Sequence, residues 1–324
     1  MRKNGNTLLR KAKKSKNDEF YTQLIDIESE LKHYQNQFRN KIVYCNCDDP
    51  TISNFYKYFA LNFEELGLKK LIASCYLDNE SSLFNYNQKK SSGYYYEYTG
   101  EKDEVIIPTF EDVTYFKNNG DFRSEESLEL LKQADVVVTN PPFSLFREHI
   151  NQIMEYEKEF LVIGNINAIT YKEIFKLIKE NKAWMGINMG RGISGFIVPD
   201  YYELYGTETR TDDFGNKIIS PNNALWLTNL DNYQRHTDIL LTKTYKGNEE
   251  EYLKYDNYDG INVNKTKDIP SDYTGAMGVP ITFLHKFNPD QFEIIKFRKG
   301  NDEKDLSING KTPYFRILIR NKRI

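Results

Sequence analysis

The sequence predicts an α/β fold, a doubly wound parallel sheet followed by a mixed α+β region. Three observations carry that reading. The runs IVYCN (Ile42 to Asn46), KLIASCY (Lys70 to Tyr76) and DVVVT (Asp135 to Thr139) are short and continuously apolar, as strands buried on both faces require. Segments of helical period separate them, which is the rhythm of parallel crossovers. After about Leu230 that rhythm gives way to a stretch rich in Tyr, Asn and Lys. At 324 residues the chain has room for roughly two domains of about 150 residues each, enough to bury a core without disulfides.

The elements follow in order. Leu24, Ile27, Leu31, Tyr34 and Phe38 alternate spacings of three and four, predicting a helix from Asp18 to the polar break at Arg39 to Lys41. IVYCN is the first strand, and Asp49 is placed to cap a helix whose first residue is Pro50. Ile52, Phe55, Tyr56, Phe59, Phe63 and Leu66 line its buried face and Gly67 ends it. KLIASCY is the second strand. Residues 78–103 are polar and aperiodic, the pattern of a hairpin or loop, and VIIPTF (Val105 to Phe110) reads as a third strand. Ser124 caps a helix opened by Glu125 and Glu126, acids that suit the positive helix end. DVVVT is the clearest strand; helix (Phe146 to Tyr156), strand (Phe160 to Gly164), helix (Tyr171 to Glu180) and strand (Ala183 to Asn188) continue the alternation. RGISGFIVPDYYELYG, TDDFGNK and NNALWLT read as β-ribbons.

Composition excludes several classes. Lys plus Arg is 44 against 47 for Asp plus Glu, so a net charge of −3 rules out a uniformly basic coat for polyanions. Charge is concentrated at the ends, with seven Lys or Arg in residues 1–17 and five, without an acid, in residues 306–324. These ends read either as solvated termini or as arms on a phosphate backbone, with Lys11, Lys13, Lys14 and Lys16 as candidate contacts. Cys45, Cys47 and Cys75 are too few for a disulfide framework, lack zinc spacing and read as core residues. The four histidines share no ligand pattern, so no metal is expected. No secretory signal and no run near the roughly 18 apolar residues of a membrane span is present, which predicts a soluble, cytoplasmic protein without a membrane partner.

The chemistry lies at Asn140-Pro141-Pro142-Phe143, directly behind the clearest strand. Open α/β sheets bind ligands beyond the carboxyl ends of their strands. Two prolines stiffen the loop and donate no hydrogen bond, leaving the Pro141 carbonyl free to point outward. With the Asn140 side chain it can hold both hydrogens of an sp² amino group, while Phe143 stacks on the ring that bears it. The competing reading is a plain turn that starts a helix. Glycines at Gly186, Gly190, Gly192 and Gly195 read as bulges and turns. Arg191, beside Phe196, is a candidate phosphate contact, against the alternative of a surface ion pair.

On these residues the sequence resembles the EcoRI-type modification methylases, adenine-specific DNA N6-methyltransferases with the NPPF signature and a γ-like motif order. KAKKSKNDEFYTQ, KIVYCNCDDPTISNFYKYFA, DVVVTNPPFSLFRE and MGVPITFLHKFNP carry the likeness, which covers essentially the whole chain. The resemblance implies S-adenosylmethionine as cofactor. It implies cofactor contacts from DEFYT, hence Phe20, Tyr21 and Thr22, and from Asp48 or Asp49 in a loop that lacks the family's glycines. Asp121 and Phe122 are implied to read the cofactor adenine, and Phe196 to sandwich the flipped base opposite Phe143. Asn140, Pro141, Pro142 and Phe143 are the implied catalytic residues. The implied target is an adenine in GAATTC, methylated to protect double-stranded DNA from a cognate endonuclease that need not bind the chain, and a monomer is expected.

The expected organisation is a basic arm (1–17), a catalytic domain (18–229) and a target-recognition region (230–324). Two other classes compete: the same chemistry on RNA or a protein glutamine, and a DNA-binding module without turnover. A glutamine methylase normally carries Tyr after the prolines, whereas this chain has Phe143 and about 95 residues after the sheet. The binding module requires a damaged tetrapeptide, and NPPF is intact.

Overall fold

The computed structural model describes residues 21–77, 92–101, 104–198, 209–220 and 223–324. Phe20, Lys11, Lys13, Lys14 and Lys16 lie outside the described residues. The chain divides into two compact units, one of the residues up to 174 together with 188–230, the other of residues 175–187 and 231–324.

The strands up to residue 230 are β1 (Tyr21–Thr22), β2 (Ile42–Cys45), β3 (Lys70–Cys75), β4 (Tyr94–Tyr98), β5 (Thr114–Tyr115), β6 (Val136–Thr139), β7 (Glu159–Asn165), β8 (Trp184–Met189), β9 (Phe196–Val198), β10 (Thr209–Thr211), β11 (Lys217–Ile219) and β12 (Ala224–Thr228). The helices are α1 (Leu24–Leu31), α2 (Asn54–Leu61), α3 (Phe63–Leu66), α4 (Glu125–Gln133), α5 (Phe146–Glu155) and α6 (Lys172–Lys179). An eight-stranded sheet has the order β5-β4-β3-β2-β6-β7-β12-β8, confirming the α/β class. Its centre, β3-β2-β6-β7, is parallel. The chain leaves β2 toward β3 and returns with β6 on the other side, so the topological switch point lies between β2 and β6. Ligand crevices of such sheets open there, beyond the strand ends. A second sheet, β1-β9-β11-β10, is antiparallel throughout.

All four residues of β6 are buried, as its continuous apolar run demands. Ser124 caps α4 by accepting from the Ser127 amide, as predicted. Gly67 ends α3 with φ of 62°, a backbone conformation that suits glycine. Gly164 in β7 is required by packing, because a Cβ there would lie 2.5 Å from the Phe146 ring.

Several expectations are corrected. The helix predicted through Phe38 ends at Leu31; a 3-10 turn at Gln35–Gln37 follows, and Tyr34 and Phe38 are buried from it. Asp49 does not cap a helix starting at Pro50. Its Oδ1 accepts from the amide and hydroxyl of Thr51, the cap is Ser53, and Ile52 is left exposed. VIIPTF is not a strand: Pro108 cannot donate to a ladder, and side-chain hydroxyls of Tyr56 and Tyr96 take the carbonyls of Ile106 and Val105. The third strand is instead β4, within the stretch expected as a hairpin or loop; Tyr94 to Tyr98 pair antiparallel with β3, in line with the hairpin alternative. NNALWLT is no peripheral ribbon, since β12 enters the main sheet antiparallel to β7 with all five residues buried. Its run ALWLT lacks the alternation that a one-sided ribbon needs.

The second unit is built on β13 (Gly260–Asn262), β14 (Ala276–Pro280), β15 (Phe292–Phe297) and β16 (Arg316–Asn321), in the order β13-β14-β16-β15. β13 and β14 are parallel and the other pairs antiparallel. Among the described residues after Leu230 the helical turns are all of the 3-10 type.

Candidate active site

The site assembles at the carboxyl ends of β2 and β6. β2 ends at Cys45 and feeds Asn46, Cys47 and Asp48; β6 ends at Thr139 and feeds Asn140. Asp48 joins the two. Its Oδ2 accepts from the Thr139 hydroxyl and its Oδ1 from the Ser53 hydroxyl at 2.7 Å. The Ser53 oxygen already accepts from the amides of Phe55 and Tyr56, so its own proton goes to Asp48. Burial pushes the Asp48 carboxyl up to about 6, against the lowering effect of the two hydroxyls.

Asn140 is half-buried, with its side-chain oxygen fully enclosed. Among the described residues no hydrogen bond claims the Pro141 carbonyl, while the Pro142 carbonyl accepts from the Leu145 amide in the turn that leads into α5. Of the stiff, buried-to-half-buried Pro-Pro pair, the Pro142 carbonyl is thus used to start a helix while the Pro141 carbonyl is left out of that turn. Phe143 is half-buried and meets Phe196 edge to face, ring centroids 6.2 Å apart at 79°. Phe196 itself is fully buried, in register with Thr22 across β1 and β9. As placed, the two rings touch each other and do not face across an open slot.

A second polar group sits beside the β2 end. The buried His149, on the core face of α5, pairs through Nε2 with Asn46 Oδ1 at 2.9 Å. Burial holds it neutral, down to about 3, and its Nδ1 is enclosed without a hydrogen bond among the described residues. The Phe122 ring packs edge-on against it, centroids 5.2 Å apart. Asp121 next to Phe122 is gripped by Arg123: Oδ1 accepts from the Arg123 amide and Nε, both at 2.9 Å, and Oδ2 from Nη2 at 2.7 Å. That guanidinium holds the Asp121 carboxyl below its ordinary value.

Asp49 is engaged elsewhere, accepting from the Tyr94 hydroxyl at 2.7 Å as well as from Thr51. Of the paired acids, Asp48 is therefore the one tied to β6. Tyr21 is half-buried; Thr22 is buried, and its hydroxyl oxygen has no hydrogen-bond partner among the described residues. Arg191 is exposed in the turn Gly190–Gly192 and forms no ion pair among the described residues. Cys45 is buried, whereas Cys47 and Cys75 are only partly so. Among the described residues no cluster of His, Cys, Asp and Glu suits a metal, and no helix is long and apolar enough to cross a membrane.

The structure thus brings Asp48 to Asn140 through Thr139, Phe143 to Phe196, and Thr22 to Phe196. Sequence reasoning missed Asn46, Ser53, Thr139 and His149. The available signal for His149 was a polar residue among Phe146, Ile150 and Ile153 on an apolar helix face.

The S-adenosylmethionine implied by the sequence has an adenine and two positive centres. Two carboxylates at this edge, an aromatic ring beside one of them, and the enclosed Thr22 hydroxyl and His149 Nδ1 form a set of groups that fits it.

Comparisons with known proteins agree on one family. A family model described as "Adenine-specific methyltransferase EcoRI" matches residues 8–322. The chain is 66% identical over 319 residues to the Type II methyltransferase M.EcoRI of Escherichia coli, covering 98% of both chains. It is 39% identical to the Type II methyltransferase M.MgeORF184P of Mycoplasma genitalium, over 97% of this chain and 98% of the relative. It is 37% identical to the Type II methyltransferase M.MpnI of Mycoplasma pneumoniae over the same shares. No solved structure matches.

Proposed function

Since the chain belongs to the adenine-specific EcoRI methyltransferase family and is a Type II methyltransferase, we propose that it methylates N6 of an adenine extruded from GAATTC in duplex DNA, protecting that site from a cognate endonuclease. The observation that carries this reading is the pair of acceptors, Asn140 Oδ1 and the Pro141 carbonyl, at the end of β6 beside the switch point. Two acceptors fixed by a stiff loop suit the two hydrogens of one amino group.

S-adenosylmethionine supplies an electrophilic methyl group when bound. Thr22, Asp48, Asp121 and Phe122 are the residues that would hold it, with Phe20 and Tyr21 from the same N-terminal segment. Adenine inside a stacked duplex cannot reach such a pocket, so the base is extruded at a cost of about a few kcal/mol. Phe143 recovers part of it by stacking. Asn140 and Pro141 draw the amino hydrogens toward themselves and turn the nitrogen lone pair out of conjugation, toward the methyl group. The proton leaves during or after attack, when the alkylated nitrogen has become acidic, so no strong base is required. Positioning and oriented acceptors carry the rate. Residues 230–324 take the role of target recognition, and the basic ends that of phosphate contacts.

A plasmid incubated with the protein and S-adenosylmethionine, then digested with a panel of site-specific nucleases, tests the reading. Resistance confined to the nuclease that cuts GAATTC is expected. Protection of a different site replaces the proposed target, and no protection anywhere removes DNA as substrate.

A further inference from the structure

Helix α1 carries two buried acids one turn apart, Asp26 and Glu30, and both grip the same loop. Asp26 Oδ1 accepts from the Ser194 amide and Oδ2 from the Ser194 hydroxyl, each at 2.8 Å. Glu30 Oε2 accepts from the Asn188 amide at 2.8 Å and from Asn188 Nδ2 at 2.9 Å, while Oε1 takes the Tyr34 hydroxyl at 2.9 Å. Gln23, at the head of α1, adds bonds from Nε2 to Ser194 Oγ at 2.7 Å and to the Gly195 carbonyl at 2.8 Å.

The segment is therefore fastened at Asn188 and at Ser194, with Met189 to Ile193 between. Ile193 is buried in the core and Gly190 turns the chain at a φ of 55°. Arg191 stands exposed between them with no ion pair among the described residues. A loop that needed only burial could be held by apolar anchors like Ile193. Burying a carboxylate is costly unless its oxygens are well hydrogen-bonded, and charge-assisted bonds to backbone N–H groups are short and directional. Two such anchors therefore specify where the loop sits. The strand that follows begins with Phe196, whose ring touches Phe143, so the loop ends beside the tetrapeptide.

We propose that Asp26 and Glu30 are positioning residues for Arg191, holding its guanidinium where a DNA phosphate next to the target nucleotide binds. The inference rests on the DNA-methylating function proposed above and adds how the phosphate contact is set in place. Fixing the loop that carries the cation spares the ordering cost that a mobile loop would incur on binding.

Binding of a duplex containing GAATTC to the full chain, measured over a range of salt, decides it. Arg191→Ala should weaken binding about tenfold and make the slope of log K against log salt shallower by about 0.9, the value for one phosphate left without its cation. Glu30→Gln, which is isosteric, should reproduce that loss, and the double variant should show no further loss. Ser194→Ala removes a hydroxyl bond to Asp26 while keeping both acids, and should shift binding the same way; it decides the matter if Glu30→Gln does not fold. Losses that multiply in the double variant, or an unchanged slope in Arg191→Ala, overturn the inference. A wild-type protein with no salt-dependent duplex binding overturns the DNA function instead.

Discussion

The Asp48 carboxylate accepts the Thr139 hydroxyl proton, tying the loop after β2 to the last residue before Asn140. β6, the strand that ends at Thr139, is thereby fixed by a side chain from the loop after β2. The same carboxylate also accepts from the cap of α2.

That link gives the site a pH dependence. The folded value of about 6 lies above the ordinary carboxylate range near 3.9, so the native state holds the proton more tightly than the unfolded chain. Between about pH 4 and 6 this group's contribution to stability therefore falls as pH rises, and above 6 the whole penalty, on the order of 3 kcal/mol, is present. Unfolding of wild type and Asp48→Asn, compared from pH 4 to 7, should show the variant gaining on wild type as pH rises. Protonation turns one Asp48 oxygen into a donor and weakens its bond from Thr139 or Ser53, so turnover should have an acid limb near pH 6 that the variant lacks. Identical pH–rate profiles would remove Asp48 from the positioning of Asn140.

Asn140→Ala should leave cofactor and DNA binding largely intact while turnover drops at least about a hundredfold, the scale for losing one oriented polar group. Single-turnover methylation with both ligands saturating measures it. Near wild-type turnover would take the tetrapeptide out of the chemistry.

Asp121→Ala should reduce S-adenosylmethionine affinity by about tenfold or more, roughly 1.4 kcal/mol, with the fold retained. Calorimetric titration reads this directly. Arg123→Ala serves as the control, because it removes the ion pair yet keeps the carboxylate. Equal losses in both variants would assign the effect to the ion pair, and no loss in Asp121→Ala would leave the segment as a turn only.

Deleting residues 1–16 should weaken binding to specific and nonspecific duplexes about equally, since phosphate contacts position without reading bases. The salt slope should become shallower by about 0.9 for each phosphate that the arm neutralises in the full chain. Because Tyr21 and Thr22 follow closely, cofactor affinity of the truncated protein is measured alongside. An unchanged slope with intact cofactor binding would make the arm a solvated tail.

Much of the parallel sheet was legible because burial on both faces forces a continuous apolar run, as in β6, and crossover helices leave a period such as that of Phe146, Ile150 and Ile153. The tetrapeptide was legible for a local reason too: two prolines behind a strand constrain their own backbone. Misreadings arose where a residue's fate depends on distant partners. Val105 and Ile106 have strand propensity, yet tyrosines from α2 and β4 claim their carbonyls. The stretch that holds Tyr94 to Tyr98 reads equally as hairpin or loop until β3 offers it a ladder.

The sequence by itself determined the class of sheet and the place of the Asn140-Pro141-Pro142-Phe143 turn at a strand end, because periodicity and proline stereochemistry act over a few residues. Only the tertiary structure decided which acid after β2 bonds to β6, that Phe196 is enclosed against Phe143, and that Asp26 and Glu30 fasten a loop more than 150 residues away. Those outcomes depend on hydrogen bonds and burial between segments far apart in the chain, and no local pattern encodes which partner a buried carboxylate will find.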